Sequence, residues 1–258
     1  MLRGPLRFRV ESSASGLLIV TMDFFLVGRD LAFARLARST VPMNEADLYR
    51  SRGAALIQRM LPPEVASALA YQISLQVRAA GEQCLAPPVL STKACYEIYA
   101  YQWPVLLTFL WGMTPRLENL VGKPLLPTYC YFRTYQQGDI CKIHADRPAC
   151  EHSLSLTLAY SDDLAWALAV GDAPVPATAR ATRGNADFGG APYTEFAMAA
   201  GDAVLYRGTE HYHGRLVPNP NRWSAHLFLH WVERDGACSD HAFDRRIVSG
   251  PIDFAFPT

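Results

Sequence analysis

An α+β chain with a mainly β core, a double-stranded β-helix (jelly roll) backed by N-terminal helices, is the fold this sequence predicts. Three observations carry that expectation. Before residue 121 apolar residues recur at helical spacing, as in Val65, Leu69, Ile73 and Val77. Beyond Gly122 the pattern changes to short alternating runs divided by turn residues. Helices first and many strands afterwards is the order of a sheet packed by preceding helices. The expected division is a helical support region, 1–121, and a jelly-roll region, 122–258, joined in one compact unit.

The helical half reads as follows. Asn44 to Met60 is expected to be one helix, stopped by Pro62-Pro63, and Glu64 to Ala79 a second with its four-spaced stripe turned inward. Tyr96 to Leu120, broken by Pro104 and Pro115, predicts two short helices. Its aromatic residues Tyr96, Tyr99, Tyr101, Trp103 and Trp111 are expected in helix–sheet core. Nearer the start, Arg3, Arg7 and Arg9 precede an apolar run, Leu17 to Val27, that superficially resembles a signal peptide. Asp23 interrupts it and it is too short to span a bilayer, so a strand, or a leader before a start at Met22, is expected.

In the β half, Tyr129 to Gln136 alternates, placing Tyr129, Tyr131, Arg133 and Tyr135 on one face and Cys130, Phe132 and Thr134 on the other. Gln136 to Asp139 supplies a turn, with Gly138 free to take positive φ, and a return strand ends at His144 and Asp146. This predicts a hairpin. Further strands are expected at Ser153–Ala159, Ala165–Val170, Thr194–Met198, Ala203–Arg207 and Trp223–Val232, with a loop at Arg180–Ala191.

Composition bounds the function. Lys plus Arg and Asp plus Glu are 24 each, so no overall field attracts nucleic acid or an acidic membrane. Six cysteines without a Cys-x-x-Cys pair read as buried thiols, which suits a reducing cytoplasm. No membrane segment and no Gly-x-Ser-x-Gly elbow is seen.

The chemistry lies in two stretches. His144 and Asp146, two apart on a strand, leave one face and can take adjacent positions around a metal ion; His213 is read as the third ligand. Two imidazoles and a carboxylate on one side of an octahedral ion suit non-haem Fe(II), because the open positions accept a co-substrate and O2. His211 is the alternative third ligand. Nine residues after His213, Arg222 and Ser224 form an Arg-x-Ser suited to clamping a carboxylate, with Arg133, Arg207 and Arg215 as other candidates. Arg147 is placed at the barrel mouth, gripping an acidic substrate or pairing with Glu151. Trp166 and Trp231 read as core, and His152, His226, His230 and His241 as structural or solvated.

In combination, Tyr135-x-x-Gly138, His144-x-Asp146, Gly201-Asp202 leading to His213, and Arg222-x-Ser224 resemble the Fe(II)/2-oxoglutarate-dependent oxygenases, particularly those with prolyl-4-hydroxylase-like catalytic domains. The resemblance covers Tyr129 to Val232. It implies iron on His144, Asp146 and His213, with Arg222 on the distal carboxylate of 2-oxoglutarate and Ser224 and Tyr135 assisting. It also implies O2 as co-substrate, ascorbate as a candidate accessory reductant, and hydroxylation of an unactivated C–H with release of succinate and CO2. The substrate is left open between a small molecule and a peptide or protein, with no nucleic acid or membrane partner expected. The rival is a cupin-type metal-binding jelly roll using His211 and His213 without 2-oxoglutarate; a non-catalytic interaction module and a nucleic-acid repair oxygenase rank below it.

Overall fold

The computed structural model describes residues 7–12, 17–23, 39–176, 178 and 184–245. Residues 24–27 of the apolar run and 180–183 of the expected loop lie outside these. The described part of the run is a strand. β1 (Arg7–Ser12), β2 (Leu17–Asp23) and β3 (Ser39–Pro42) pair antiparallel in a three-stranded sheet of order β1-β2-β3.

The expected helix over Asn44 to Met60 stops early. α1 (Glu45–Arg52) is capped by the Asn44 side chain, which accepts from the Asp47 N–H at 2.9 Å. It ends at Gly53, whose φ of +75° is open to glycine at little cost. The chain then turns into β4 (Ala54–Ile57). α2 (Pro63–Ala80) falls where its stripe predicts, although Val65 is exposed and Ile73 is the position fully buried. After β5 (Leu85–Ala86) and β6 (Cys95–Tyr99) comes α3 (Pro104–Val121), one helix in place of the expected two. Pro115 sits within it, and the carbonyl its missing N–H would have bonded belongs to Trp111, on the solvent side. Of the five aromatic residues expected in core, Tyr96, Tyr101 and Trp111 are exposed.

The remaining strands are β7 (Leu125–Gln136), β8 (Cys141–His144), β9 (His152–Tyr160), β10 (Leu168–Gly171), β11 (Tyr193–Phe196), β12 (Ala203–Tyr206), β13 (His213–Arg215) and β14 (Trp223–Glu233). They build the two sheets of a jelly roll: seven strands in the order β4-β12-β9-β14-β7-β6-β5, facing four in the order β11-β10-β13-β8. β4, β5 and β6 come from before residue 121, so the region expected as helical support also completes the larger sheet.

The hairpin expectation fails in an instructive way. β7 and β8 are joined by the turn at Gln136–Asp139, with Gly138 at φ +74°, but they belong to different sheets. Asp139, fully buried, redirects the chain: its Oδ1 accepts from the N–H groups of Thr92, Lys93 and Ile140 and from the Thr92 hydroxyl. β7 pairs with β14 and β6, and β8 with β13.

Alternation sorts the larger sheet into two faces. Leu154, Leu156, Leu158, Cys130, Phe132, Leu227, Leu229 and Trp231 pack outward against Ile73 of α2 and Leu106, Leu110 and Leu117 of α3. The other face closes over the smaller sheet and carries the polar interior. Among the described residues no helix is long and apolar enough to cross a membrane.

Candidate metal centre

β8 and β13 pair so that His144 and His213 are directly opposite one another. Their rings lie 4.4 Å apart between centroids. Asp146 follows β8 by two residues and is held by a backbone bond from its N–H to the Gly208 carbonyl, 2.9 Å. Its Oδ1 is 3.4 Å from His144 Nε2 and 3.5 Å from His213 Nε2. The three side chains therefore converge, each offering one ligand atom.

The second atoms of these groups fix their orientation. His144 Nδ1 faces the Lys142 carbonyl at 2.8 Å, and His213 Nδ1 the His211 carbonyl at 2.9 Å. Each Nδ1 can only donate to a carbonyl, so each Nε2 is left as a lone pair aimed at the shared point. Asp146 Oδ2 accepts from the Ser153 hydroxyl at 3.2 Å. Gly208 passes so close that a Cβ there would collide with Asp146 Oδ2 and Ser153 Oγ. Burial alone would raise the Asp146 carboxyl, but His213 and His144 beside it hold it well below the usual carboxylate range. Burial opposes charge on His213, yet Asp146 and the His211 carbonyl raise it overall. Two imidazole nitrogens and an ionised carboxylate, with their outer atoms already held, are a donor set suited to a divalent transition metal.

His211 does not share this point. Its Nδ1 faces the Gly171 carbonyl at 2.7 Å and its ring packs against Gly53, where any Cβ would clash. The pair His211/His213 therefore does not chelate one ion.

Around the triad the pocket is lined by the inward face of β7 (Tyr129, Tyr131, Arg133, Tyr135), by Phe228 and His230 of β14, and by Tyr206 and Arg215. Arg222 is not among them. Its side chain is 72% exposed and its Nε donates to Asp162 Oδ1 at 3.1 Å, on the outside of the barrel. The expected clamp is thus misplaced: β14 begins at Trp223, and Arg222 precedes the strand that enters the barrel. Ser224 is buried but occupied by Asn219, whose Nδ2 donates to its hydroxyl at 3.2 Å and also to the Tyr135 and Gln136 carbonyls.

Two other arginines do enter. Arg133 is neutralised by Glu97, with Nε–Oε1 2.7 Å and Nη2–Oε1 2.5 Å, and its Nη1 donates to the Tyr135 hydroxyl at 3.2 Å. Arg215 is 1% exposed, lies over the Trp166 ring at 4.6 Å, donates to the Trp166 carbonyl, and has Nη2 3.4 Å from His226 Nδ1. No carboxylate is among these partners. Burial, then the Arg215 charge, keeps His226 well below the ordinary histidine value. Arg147 at the mouth pairs with Asp244 at 2.7 Å rather than with Glu151 and stacks over Tyr129. Tyr129, Tyr206 and His230 were not singled out by sequence as pocket residues. For Tyr129 and His230, strand parity relative to Tyr135 in β7 and Ser224 in β14 was the available signal; Tyr206, at the end of β12, had none.

No family model matches the sequence, and no curated protein matches it. Solved structures do match in fold. The non-heme alpha-ketoglutarate-dependent carbocyclase SnoK from nogalamycin biosynthesis superposes with a TM-score of 0.58 at 13% identity, covering 82% of this chain and 93% of that one. A 2OG-Fe(II) oxygenase family oxidoreductase from Burkholderia pseudomallei gives 0.52 at 18% identity over 75% and 91%. HygX from Streptomyces hygroscopicus, solved with nickel and 2-oxoglutarate bound, gives 0.52 at 10% identity over 74% and 87%. At these identities the likeness is one of fold: the chain has the jelly roll of the 2-oxoglutarate/Fe(II) oxygenases.

Proposed function

We propose that this protein is an Fe(II)- and 2-oxoglutarate-dependent dioxygenase that hydroxylates an unactivated C–H of a small-molecule or peptide substrate, releasing succinate and CO2. The observation that carries the reading is the combination within one pocket of the convergent His144/Asp146/His213 donors and a fully buried arginine, Arg215, two residues beyond His213 on the same strand.

His144, Asp146 and His213 would hold the metal through Nε2, a carboxylate oxygen and Nε2. Bound there, Fe(II) with 2-oxoglutarate and O2 supplies a two-electron oxidation coupled to decarboxylation of the keto acid. Arg215 would take the distal carboxylate of 2-oxoglutarate, since a guanidinium in a water-poor site binds a carboxylate through two charge-assisted hydrogen bonds. The Tyr135 hydroxyl, already accepting from Arg133, has its own proton to donate to that anion. Arg133 is the less suitable clamp because Glu97 already occupies its fork. Tyr131, stacked on Phe228 at 5.0 Å, and Tyr129, tilted against His230 at 4.5 Å, wall the site and restrict water.

The test is succinate formation from 2-oxoglutarate by protein loaded anaerobically with Fe(II), followed by exposure to O2 with a panel of metabolites and peptides. Asp146→Ala is expected to remove metal binding at the triad and all succinate while the protein stays folded; iron-dependent turnover at the wild-type rate in that variant would sink the proposal. Arg215→Met keeps the bulk and loses the charge. It is expected to raise the 2-oxoglutarate requirement about 10- to 150-fold, the loss of a charge-assisted pair worth roughly 1.5–3 kcal/mol. An unchanged requirement moves the clamp to Arg133.

A further inference from the structure

On the opposite face of the larger sheet from the triad lies a second group of metal-competent side chains. Strand parity separates them: in β9, Ser153 points inward to Asp146 and His230, so His152 points outward. β9 and β14 pair with His152 opposite Trp231, which brings Glu151 and Glu233 to the same corner. The ligand atoms of Glu151, His152 and Glu233 all lie within 4.8 Å of one another.

The three groups are oriented from behind. His152 Nδ1 is 2.5 Å from the Tyr49 hydroxyl of α1. Glu233 Oε2 takes Lys123 Nζ at 3.2 Å, leaving Oε1 turned to His152 Nε2 at 3.7 Å. Glu151 Oε2 accepts the Glu233 backbone N–H at 2.8 Å. An outer partner on each ligand is the arrangement that presents donor atoms inward.

His152 Nε2 is the observation that points to a ligand. The side chain is 5% exposed, and Nε2 has no hydrogen-bond partner among the described residues. At 3.7 Å the Glu233 oxygen is too far to accept a hydrogen bond. In the tautomer whose Nδ1–H donates to the Tyr49 oxygen, the Nε2 lone pair faces two carboxylates, an arrangement of acceptors that a cation satisfies. Glu151 and Glu233 are half-buried, which leaves an entry from solvent.

We propose that Glu151, His152 and Glu233 form a second, structural site for a divalent first-row transition ion, clamping the start of β9 to the end of β14 and, through Tyr49, to α1. One imidazole nitrogen with two carboxylates suits Zn2+, Co2+ or Ni2+, which accept this mixed donor set. The site is independent of the pocket triad and of the activity proposed for it.

Co2+ titration of chelator-stripped protein, followed by visible absorption and equilibrium dialysis, tests it. The wild-type chain is expected to bind two equivalents, and Glu233→Gln one. His144→Ala/His213→Ala is expected to retain one equivalent and to gain melting temperature on Co2+ addition, a gain abolished by adding Glu233→Gln. Glu233 is chosen over His152 because its side chain is more exposed and its loss leaves the Tyr49–His152 contact in place. A single equivalent in the wild type that Glu233→Gln retains, or two in Glu233→Gln, overturns the proposal. Loss of metal by the wild type at the triad alone, with one equivalent still lost in Glu233→Gln, would overturn only the reading of the triad.

Discussion

The two faces of β14 are equally buried and chemically opposite. Ala225, Leu227, Leu229 and Trp231 face the helices; Ser224, His226, Phe228 and His230 face the barrel interior, and none of the eight exceeds 8% exposure. β9 repeats the division, with Leu154, Leu156 and Leu158 outside and Ser153, Ser155 and Thr157 inside. Burial therefore does not mark the functional face. Over these leucines the outer face is satisfied by packing, with Trp231 bonded to Thr114 and His152 the exception at the start of β9, whereas the inner face keeps polar atoms along its length that need partners: Ser153 to His230 at 2.9 Å, Thr157 to His226 at 3.3 Å. Nε2 of His226 and of His230 and Oγ of Ser155 have no partner among the described residues. A face left unsatisfied in this way is built to receive something.

The comparison breaks first on its apolar side. Leu227 is fully buried between the sheet and the helices, so Leu227→Ala is expected to cost about 2–5 kcal/mol through lost transfer energy and the cavity left behind. Urea unfolding measures it, and metal stoichiometry in the same variant should be unchanged. A cost comparable to a surface substitution would mean that the outer face is not the core.

The inner face is sharpened by pH. His226 has its folded pKa well below the ordinary value near 6.5, because burial first and Arg215 second disfavour the imidazolium. On acidification the unfolded chain takes up a proton that the folded chain refuses. Stability from this group is thus fully present above about pH 6.5 and declines as pH falls below it, by up to about 1.4 kcal/mol per unit. His226→Gln should flatten that decline, so that between about pH 6.5 and 5 the wild type loses roughly 1–2 kcal/mol more than the variant. Parallel profiles would show that His226 is charged inside the barrel.

The same contrast governs what the sequence could say. Period-two alternation in β7 and β14 is a local property, and it correctly set Tyr129, Tyr131, Arg133 and Tyr135 apart from Cys130 and Phe132. The convergence of His144, Asp146 and His213 was also legible, because residue types and strand parity both pointed to it. Long-range facts were not. A tight turn with Gly138 looks the same whether its strands pair or part into two sheets, and it is Asp139, bonded to the loop at Thr92 and Lys93, that parts them. Gly53 ended a helix whose pattern ran on, since Ala54–Ile57 is apolar enough for either helix or strand and β12 decides the matter. For the arginine, spacing favoured Arg222, whereas simple parity from His213 would have selected Arg215, which two steps along a strand place on the same side.

That choice between arginines yields the smallest expected effect. Arg222 meets Asp162 on the surface through both its backbone N–H and its guanidinium, and water screens the pair. Arg222→Ala keeps the backbone bond and loses the exposed ion pair. Its melting temperature, metal stoichiometry and 2-oxoglutarate requirement should all match the wild type, in contrast to the shift expected for Arg215→Met. A raised 2-oxoglutarate requirement in Arg222→Ala, with Arg215→Met unaffected, would reverse the assignment. The end of β14 would then have to fold inward when the co-substrate binds, breaking the Asp162 pair, and a faster on-rate for 2-oxoglutarate in Asp162→Asn would report that motion.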